Sequence, residues 1–273
     1  FKNIHRDEGI CMEIQQLQQM KVKELESLLQ QTAEQTLPEL LMKLQQDERR
    51  SVQNLIQRYQ GQLEKKEKER QRIAAMWQYE QQVKAMGYTM VAGTDEVGRG
   101  PLAGPVVAAA VILPEDVDLP EIKDSKKLSE KQRIQLDKLI KEQAVAWAIA
   151  EVDEKTIDAV NILEASRLAM RRAVEKLPQS ADFVLVDGLP NPQITLPAQA
   201  IVKGDNKSIS IAAASIIAKV YRDHLMDIYD KEYPAYGFAV NKGYPTEAHL
   251  RAIADVGPCA IHRMSFRPLS ELM

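Results

Sequence analysis

The chain has 273 residues, 45% hydrophobic and 27% charged, the balance of a folded protein with one large domain or a main domain and an appendage. No run approaches the roughly 18 apolar residues of a membrane-spanning helix, and residues 1–19 lack the charged, apolar, then small pattern of a secretory signal. A net charge of −3 excludes a protein that grips phosphate by bulk charge, so any nucleic-acid contact must come from locally gathered lysines and arginines.

Residues 1–19 carry no assignable pattern. From residue 20 the chain is rich in Gln, Glu, Lys and Leu and has almost no strand signal. Val22, Leu25, Leu28 and Leu29 recur at helical spacing, and Leu40, Leu41 and Leu44 do so again after Pro38, which suits a first helical turn. Asp47 is placed to cap a third helix carrying Val52, Leu55, Ile56 and Tyr59. Residues 64–72 are nearly all charged with the signs mixed, the mark of a solvated helix face. Residues 20–86 therefore predict a small helical module ending in a long, partly exposed helix.

Near Gly87 the pattern turns to α/β. Residues 89–94 and 105–113 are β-rich runs separated by a glycine-rich turn, and residues 144–152 are a third candidate strand. Residues 161–177 form an amphipathic helix with Ile162, Ala165, Leu168, Ala169 and Ala173 on one side. Residues 183–186 and 199–202 are short, apolar and β-branched, and residues 208–229 open with small residues and read as a buried helix. Five strands in this order predict a mixed sheet with helices on its faces, in a domain spanning 87–273 that ends in a helical segment.

Acidic residues stand where three of these strands stop. The first runs into Asp95 and Glu96, the fourth stops at Asp187-Gly188, and the fifth is followed by Lys203-Gly204-Asp205. An unpaired carboxylate is expensive to bury. If the strands are neighbours, four carboxylates converge on one sheet edge, and such a cluster repels itself unless divalent cations neutralise it, with oxygen ligands favouring Mg²⁺ or Mn²⁺. Taken singly, each acid reads more often as a turn former or helix cap, and their coincidence is what weakens that reading. Lys126 and Lys127 lie in a loop suited to phosphate contacts, and Lys203, Lys207 and Lys219 add local positive charge, though each also reads as an ordinary surface lysine. Cys11 and Cys259 form no ligand or disulfide pattern, which fits a reducing cytoplasm. His5, His224 and His249 join no constellation, and His262 with Arg263 reads as structural, holding the C-terminal segment to the body.

The residues around those acids carry a more specific signal. Asp95-Glu96-Val97-Gly98-Arg99-Gly100-Pro101 continues through Leu102-Ala103-Gly104-Pro105-Val106-Val107. Asp124-Ser125-Lys126-Lys127-Leu128-Ser129, Asn161-Ile162-Leu163-Glu164-Ala165 and Asp187-Gly188 follow. Then come Lys203-Gly204-Asp205, Ala212-Ala213-Ala214-Ser215, Lys242-Gly243-Tyr244 and His262-Arg263-Met264-Ser265-Phe266. This ordered set, over about residues 88–268, resembles bacterial ribonuclease HII, the type 2 ribonuclease H. The resemblance implies a ribonuclease H-like fold in which Asp95, Glu96, Asp187 and Asp205 are catalytic and bind two metal ions. One would lower the pKa of a bound water and the other would stabilise the departing 3′ oxygen. The substrates implied are RNA–DNA hybrids and duplex DNA containing ribonucleotides, incised 5′ to the ribonucleotide to leave 3′-hydroxyl and 5′-phosphate ends. Removal of misincorporated ribonucleotides and of RNA primers is the role this implies.

Within the resemblance, Gly98-Arg99-Gly100 lines the ribonucleotide through its backbone, and Tyr244 stacks on the neighbouring deoxyribose to sense the RNA–DNA junction. Glycines allow that close approach, and a tyrosine supplies a flat face and a hydroxyl together. A tight turn and a half-buried aromatic are the plainer readings of the same residues. Ribonuclease HIII shares the carboxylates but lacks the Gly-Arg-Gly form and carries a sheet-based domain ahead of the catalytic one, whereas residues 20–86 read as helical. A binding protein that had lost turnover would show an amide or apolar residue at one of the four acidic positions, and none does. The chain is expected to act as a monomer, with the helical module adding affinity or a partner contact; residues 268–273 are too short to mark a replication-clamp segment.

Overall fold

The computed structural model describes residues 14–188 and 193–271, so His5 and Cys11 lie outside the described residues. The chain divides into two compact units between Arg72 and Ile73. The first holds α1 (Ile14–Gln19), α2 (Val22–Gln31), α3 (Leu37–Leu44) and most of α4 (Arg50–Met76). Its core is leucine-rich: Leu17, Leu25, Leu29, Leu40, Leu41 and Leu44 meet Val52, Leu55 and Ile56 of α4, the faces marked by helical spacing. Pro38 sits in the first turn of α3, where its missing N–H costs nothing. Asp47 does not cap α4. Its carboxylate is buried and taken by the Arg49 backbone N–H at 3.0 Å and by the Arg49 guanidinium.

The second unit begins before the change in sequence character at Gly87, because residues 73–87 pack into it. Met76 joins one of its cores, and Val83 of α5 (Gln78–Ala85) joins another. Its mixed sheet has the order β3-β2-β1-β4-β5, with β1 (Val91–Val97), β2 (Val106–Ile112), β3 (Ala146–Val152), β4 (Phe183–Asp187) and β5 (Ala198–Ile201). β1–β2 and β2–β3 are antiparallel, whereas β1–β4 and β4–β5 are parallel, so β1, β4 and β5 end on one edge.

The middle strand β2 is buried along its whole length, which is why it reads as an unbroken apolar run. Its even-numbered residues Val106, Ala108, Ala110 and Ile112 face α8 (Ile162–Glu175), and its odd-numbered Val107, Ala109 and Val111 face α9 (Ile209–Glu232). The small residues of α9 let it lie close on the sheet, and a Cβ at Gly93 would run into the Ser210 backbone. The start of α9 is fixed from far away in sequence. Glu80 of α5, itself buried, accepts from Ser208 Oγ at 2.5 Å, from Ser210 Oγ at 2.6 Å and from the Ser210 N–H at 3.1 Å. Four more α-helices belong to the unit among the described residues: α6 (Glu130–Gln143), α7 (Glu154–Val160) and, further on, α10 (Phe238–Asn241) followed by α11 (Glu247–Val256). No helix among the described residues is long and apolar enough to cross a membrane.

Candidate active site

Asp95 and Glu96 lie in the last residues of β1, Asp187 closes β4, and Asp205 sits in a short 3-10 turn just past β5. Parallel pairing puts all three chain positions on one edge, as the strand pattern required. Alternation along β1 turns Asp95 toward α9, where it is 6% exposed and takes a hydrogen bond from Ser215. The Ser215 hydroxyl is itself 3.0 Å from that of Ser125. Asp187 accepts from the Gly204 N–H at 2.5 Å, which ties the end of β4 to the turn carrying Asp205.

These carboxyls act on one another. Burial pushes the Asp95 carboxyl well above its usual range, and Glu96, Asp187 and Asp205 push it further. Burial raises Glu96 too, with Asp187 adding to the rise while Arg99, whose guanidinium is 3.3 Å away, opposes it. Asp187 is raised by burial and by Asp205, against the pull of the Gly204 N–H. As the side chains stand, no three acidic, histidine or cysteine groups among the described residues close around one point. Mutual repulsion shows that the four are near neighbours; enclosing an ion is a stricter geometry. The donor set is entirely carboxylate oxygen, the chemistry of a hard divalent cation, and a cation is what relieves four crowded like charges, two of them buried. On that test the residues fit Mg²⁺ or Mn²⁺.

Beside the acids, residues 98–105 make a turn that two wholly buried arginines hold from behind. Arg263 donates to the carbonyls of Gly98 at 2.6 Å, Arg99 at 3.1 Å, Pro101 at 2.8 Å and Gly104 at 2.6 Å. Arg222 of α9 donates to those of Ala103 and Pro105 at 3.0 Å and to that of Lys242 at 2.9 Å. Gly98 has a φ of +91°, and a Cβ there would run into the Arg222 side chain. The Tyr244 ring stands beside Gly100 and is 42% exposed, so a flat aromatic face borders the turn.

Tyr244 is anchored through its main chain. His249 Nδ1 is 2.9 Å from the Tyr244 carbonyl, so that nitrogen carries the proton. His262 Nδ1 accepts from the Cys259 N–H at 2.9 Å, so its proton is on Nε2, which faces His249 Nε2 at 3.1 Å. Both rings are thereby fixed as neutral tautomers in one chain of hydrogen bonds. Burial pushes His262 down to about 4, with His249 contributing, and burial lowers His249 as well.

The lysines divide. Lys127 reaches Asn206 Oδ1 at 2.6 Å, and Asn206 in turn donates to Asp205 at 2.8 Å, which links that loop to the acids. Lys126, Lys203 and Lys207 are exposed. Lys219 is not a free charge: it pairs with Asp223 at 2.7 Å. Sequence reasoning missed Arg222 and the His249–His262 pair. Arg222 did leave a signal, since it stands four residues from buried Ala218 and from buried Met226 on the inward stripe of α9. The histidines left none, because only the fold brings positions 249 and 262 together.

Residues 92–268 match the sequence model of the family described as Ribonuclease HII, and residues 21–84 match that described as Ribonuclease HII N-terminal domain. The chain is 50% identical over 254 residues to the ribonuclease HII of Lactobacillus delbrueckii subsp. bulgaricus, covering 93% of this chain and 98% of that one. Among solved structures it is similar to ribonuclease H2 from Pyrococcus horikoshii OT3, with a TM-score of 0.57 and 26% identity over 67% of this chain and 97% of that one. It is also similar to the RNase HII of Archaeoglobus fulgidus, seen in complex with PCNA, with a TM-score of 0.56 and 28% identity over 66% and 96% of the two chains.

Proposed function

The chain belongs to the ribonuclease HII family, nucleases of RNA–DNA hybrids, and from that premise we propose that it incises duplex DNA on the 5′ side of single embedded ribonucleotides. One observation carries this reading. The carboxylates of Asp95, Glu96, Asp187 and Asp205 gather at one sheet edge beside a backbone turn and an exposed tyrosine, which places charge neutralisation next to a surface able to inspect a sugar.

Asp95, Glu96, Asp187 and Asp205 would hold Mg²⁺ or Mn²⁺, two ions by the family resemblance. When bound, such ions supply a water of lowered pKa and neutralise charge at the scissile phosphate. The chain's own residues do the rest. Ser215 and the Gly204 N–H fix the rotation of Asp95 and Asp187, and Arg99 restrains Glu96. Ribose differs from deoxyribose only at the 2′-hydroxyl, so discrimination falls to groups that meet the sugar: the amides of Gly98-Arg99-Gly100 and the Tyr244 face. Lys126 and Lys127, exposed on their loop, are placed to meet backbone phosphates. Water would attack the phosphorus and the 3′ oxygen would depart, so the ends left would be a 3′-hydroxyl and a 5′-phosphate, with the 2′-hydroxyl recognised rather than consumed.

The test is cleavage of a labelled DNA duplex carrying one ribonucleotide, with Mg²⁺, Mn²⁺ or chelator. Metal-dependent cutting 5′ to that ribonucleotide supports the proposal. Cutting only inside longer RNA runs would move the chain toward ribonuclease HIII or type 1 behaviour, and binding without cutting would make it a binder.

A further inference from the structure

Arg263 is a poor choice for stability alone. Its charge is fully buried, and among the described residues no carboxylate pairs with it. Burial, with Arg222 adding to it, lowers its pKa to about 9, which reflects the cost of keeping the cation there. An apolar side chain of similar volume would hold a C-terminal segment at less expense. The side chain is used for its five donors in a planar fork, which span the turn from Gly98 to Gly104.

The peptide bond is trans and planar, so an amide hydrogen points opposite to the carbonyl of its own peptide group. The carbonyls of Gly98 and Arg99 both point back to Arg263, so the N–H groups of Arg99 and Gly100 point away from it. Elsewhere in the turn the amides are used internally, that of Leu102 by Gly243 at 2.8 Å and that of Gly104 by Ile261 at 2.9 Å. Among the described residues neither the Arg99 nor the Gly100 amide has an acceptor. A carbonyl that accepts from a cation also polarises its peptide and strengthens its N–H as a donor.

We propose that Arg263 is a positioning residue for specificity: it turns the Arg99 and Gly100 amides outward as a polarised pair of donors for a hydroxyl oxygen of the ribose at the cut. Arg222 supports the same turn from α9, and its bond to the Lys242 carbonyl keeps Tyr244 in register with it. The inference rests on the reading that a ribonucleotide is bound at this turn.

The full chain and its Arg263→Lys variant are compared on a duplex with one embedded ribonucleotide and Mn²⁺. Lysine keeps the charge but cannot span the turn. Expected is a fall in kcat on the order of 100-fold, with KM within about threefold, since phosphate contacts set binding. Activity that falls only with the folded fraction, or not at all, overturns the inference while wild-type cutting stands. Wild-type failure to cut overturns the functional reading and this inference with it. Should the variant not fold, the wild-type chain decides: its Arg99 and Gly100 amide resonances are followed, with chelator present, as duplex is added. Shifts with the ribonucleotide duplex and not with all-DNA duplex support the proposal; equal shifts, or none, overturn it.

Discussion

Asp95 is buried among three other acids, and an amide in its place removes both a charge that is costly to bury and an oxygen that a hard cation needs. Asp95→Asn should therefore cut more slowly by at least about 100-fold, the upper range seen when even supporting groups of a metal site are lost. It should also melt at a higher temperature than the wild type in chelator and gain less from added Mg²⁺. Unchanged turnover would remove Asp95 from the centre. Tyr244→Ala should lower cutting at an isolated ribonucleotide more than cutting within a longer RNA run, with little change in melting temperature, because much of the ring is in solvent. A large fall in melting temperature would instead make the ring part of the core. For His249 and His262 the folded state holds the neutral forms below the unfolded value near 6.5. The stability they contribute is present above about pH 6.5 and is lost as pH falls from there toward about 4. Thermal melts of the wild type against His262→Asn across that window should show the gap between the two closing as the solution is acidified. A gap independent of pH would show that the pair does not titrate with unfolding.

At the level of elements, much of the sheet was legible because its strands are short and mostly apolar, and β2, buried on both sides, is the plainest of them. The acids were legible because each interrupts or follows such a run. The scaffolding behind the turn was not. An arginine usually lies at the surface, so Arg222 in a helix of small residues draws no notice until Ala218 and Met226 are seen on either side of it. Asp47 misled for a related reason: a carboxylate just ahead of a helix suits a cap, but both its backbone and its guanidinium partner belong to Arg49, before α4 begins. The turn at residues 98–105 depends on its first glycine. Gly98→Ala adds a Cβ in the left-handed region against Arg222, and should cost about 1–3 kcal/mol in chemical denaturation. A neutral result would mean that the turn is free to rearrange.

For the whole molecule, the structural division at Arg72 lies ahead of the change in sequence character at Gly87 and makes a prediction of its own. A chain begun at residue 73 keeps Met76, Glu80 and Val83, and should fold and cut. One begun at residue 88 loses all three and leaves Ser208 and Ser210 without the carboxylate that binds them. It should melt several degrees lower, and equal melting temperatures would show that α5 contributes nothing. The clamp on the turn also has a consequence in time. Arg263 grips Gly98 across 165 residues of sequence, so at roughly 5–20 residues per second a growing chain carries an unshaped turn for about ten to thirty seconds, the final three to twelve of them after Asp205, the last of the acids, is made. On the role proposed for Arg263, a nascent product would therefore carry all four acids before it could judge a sugar.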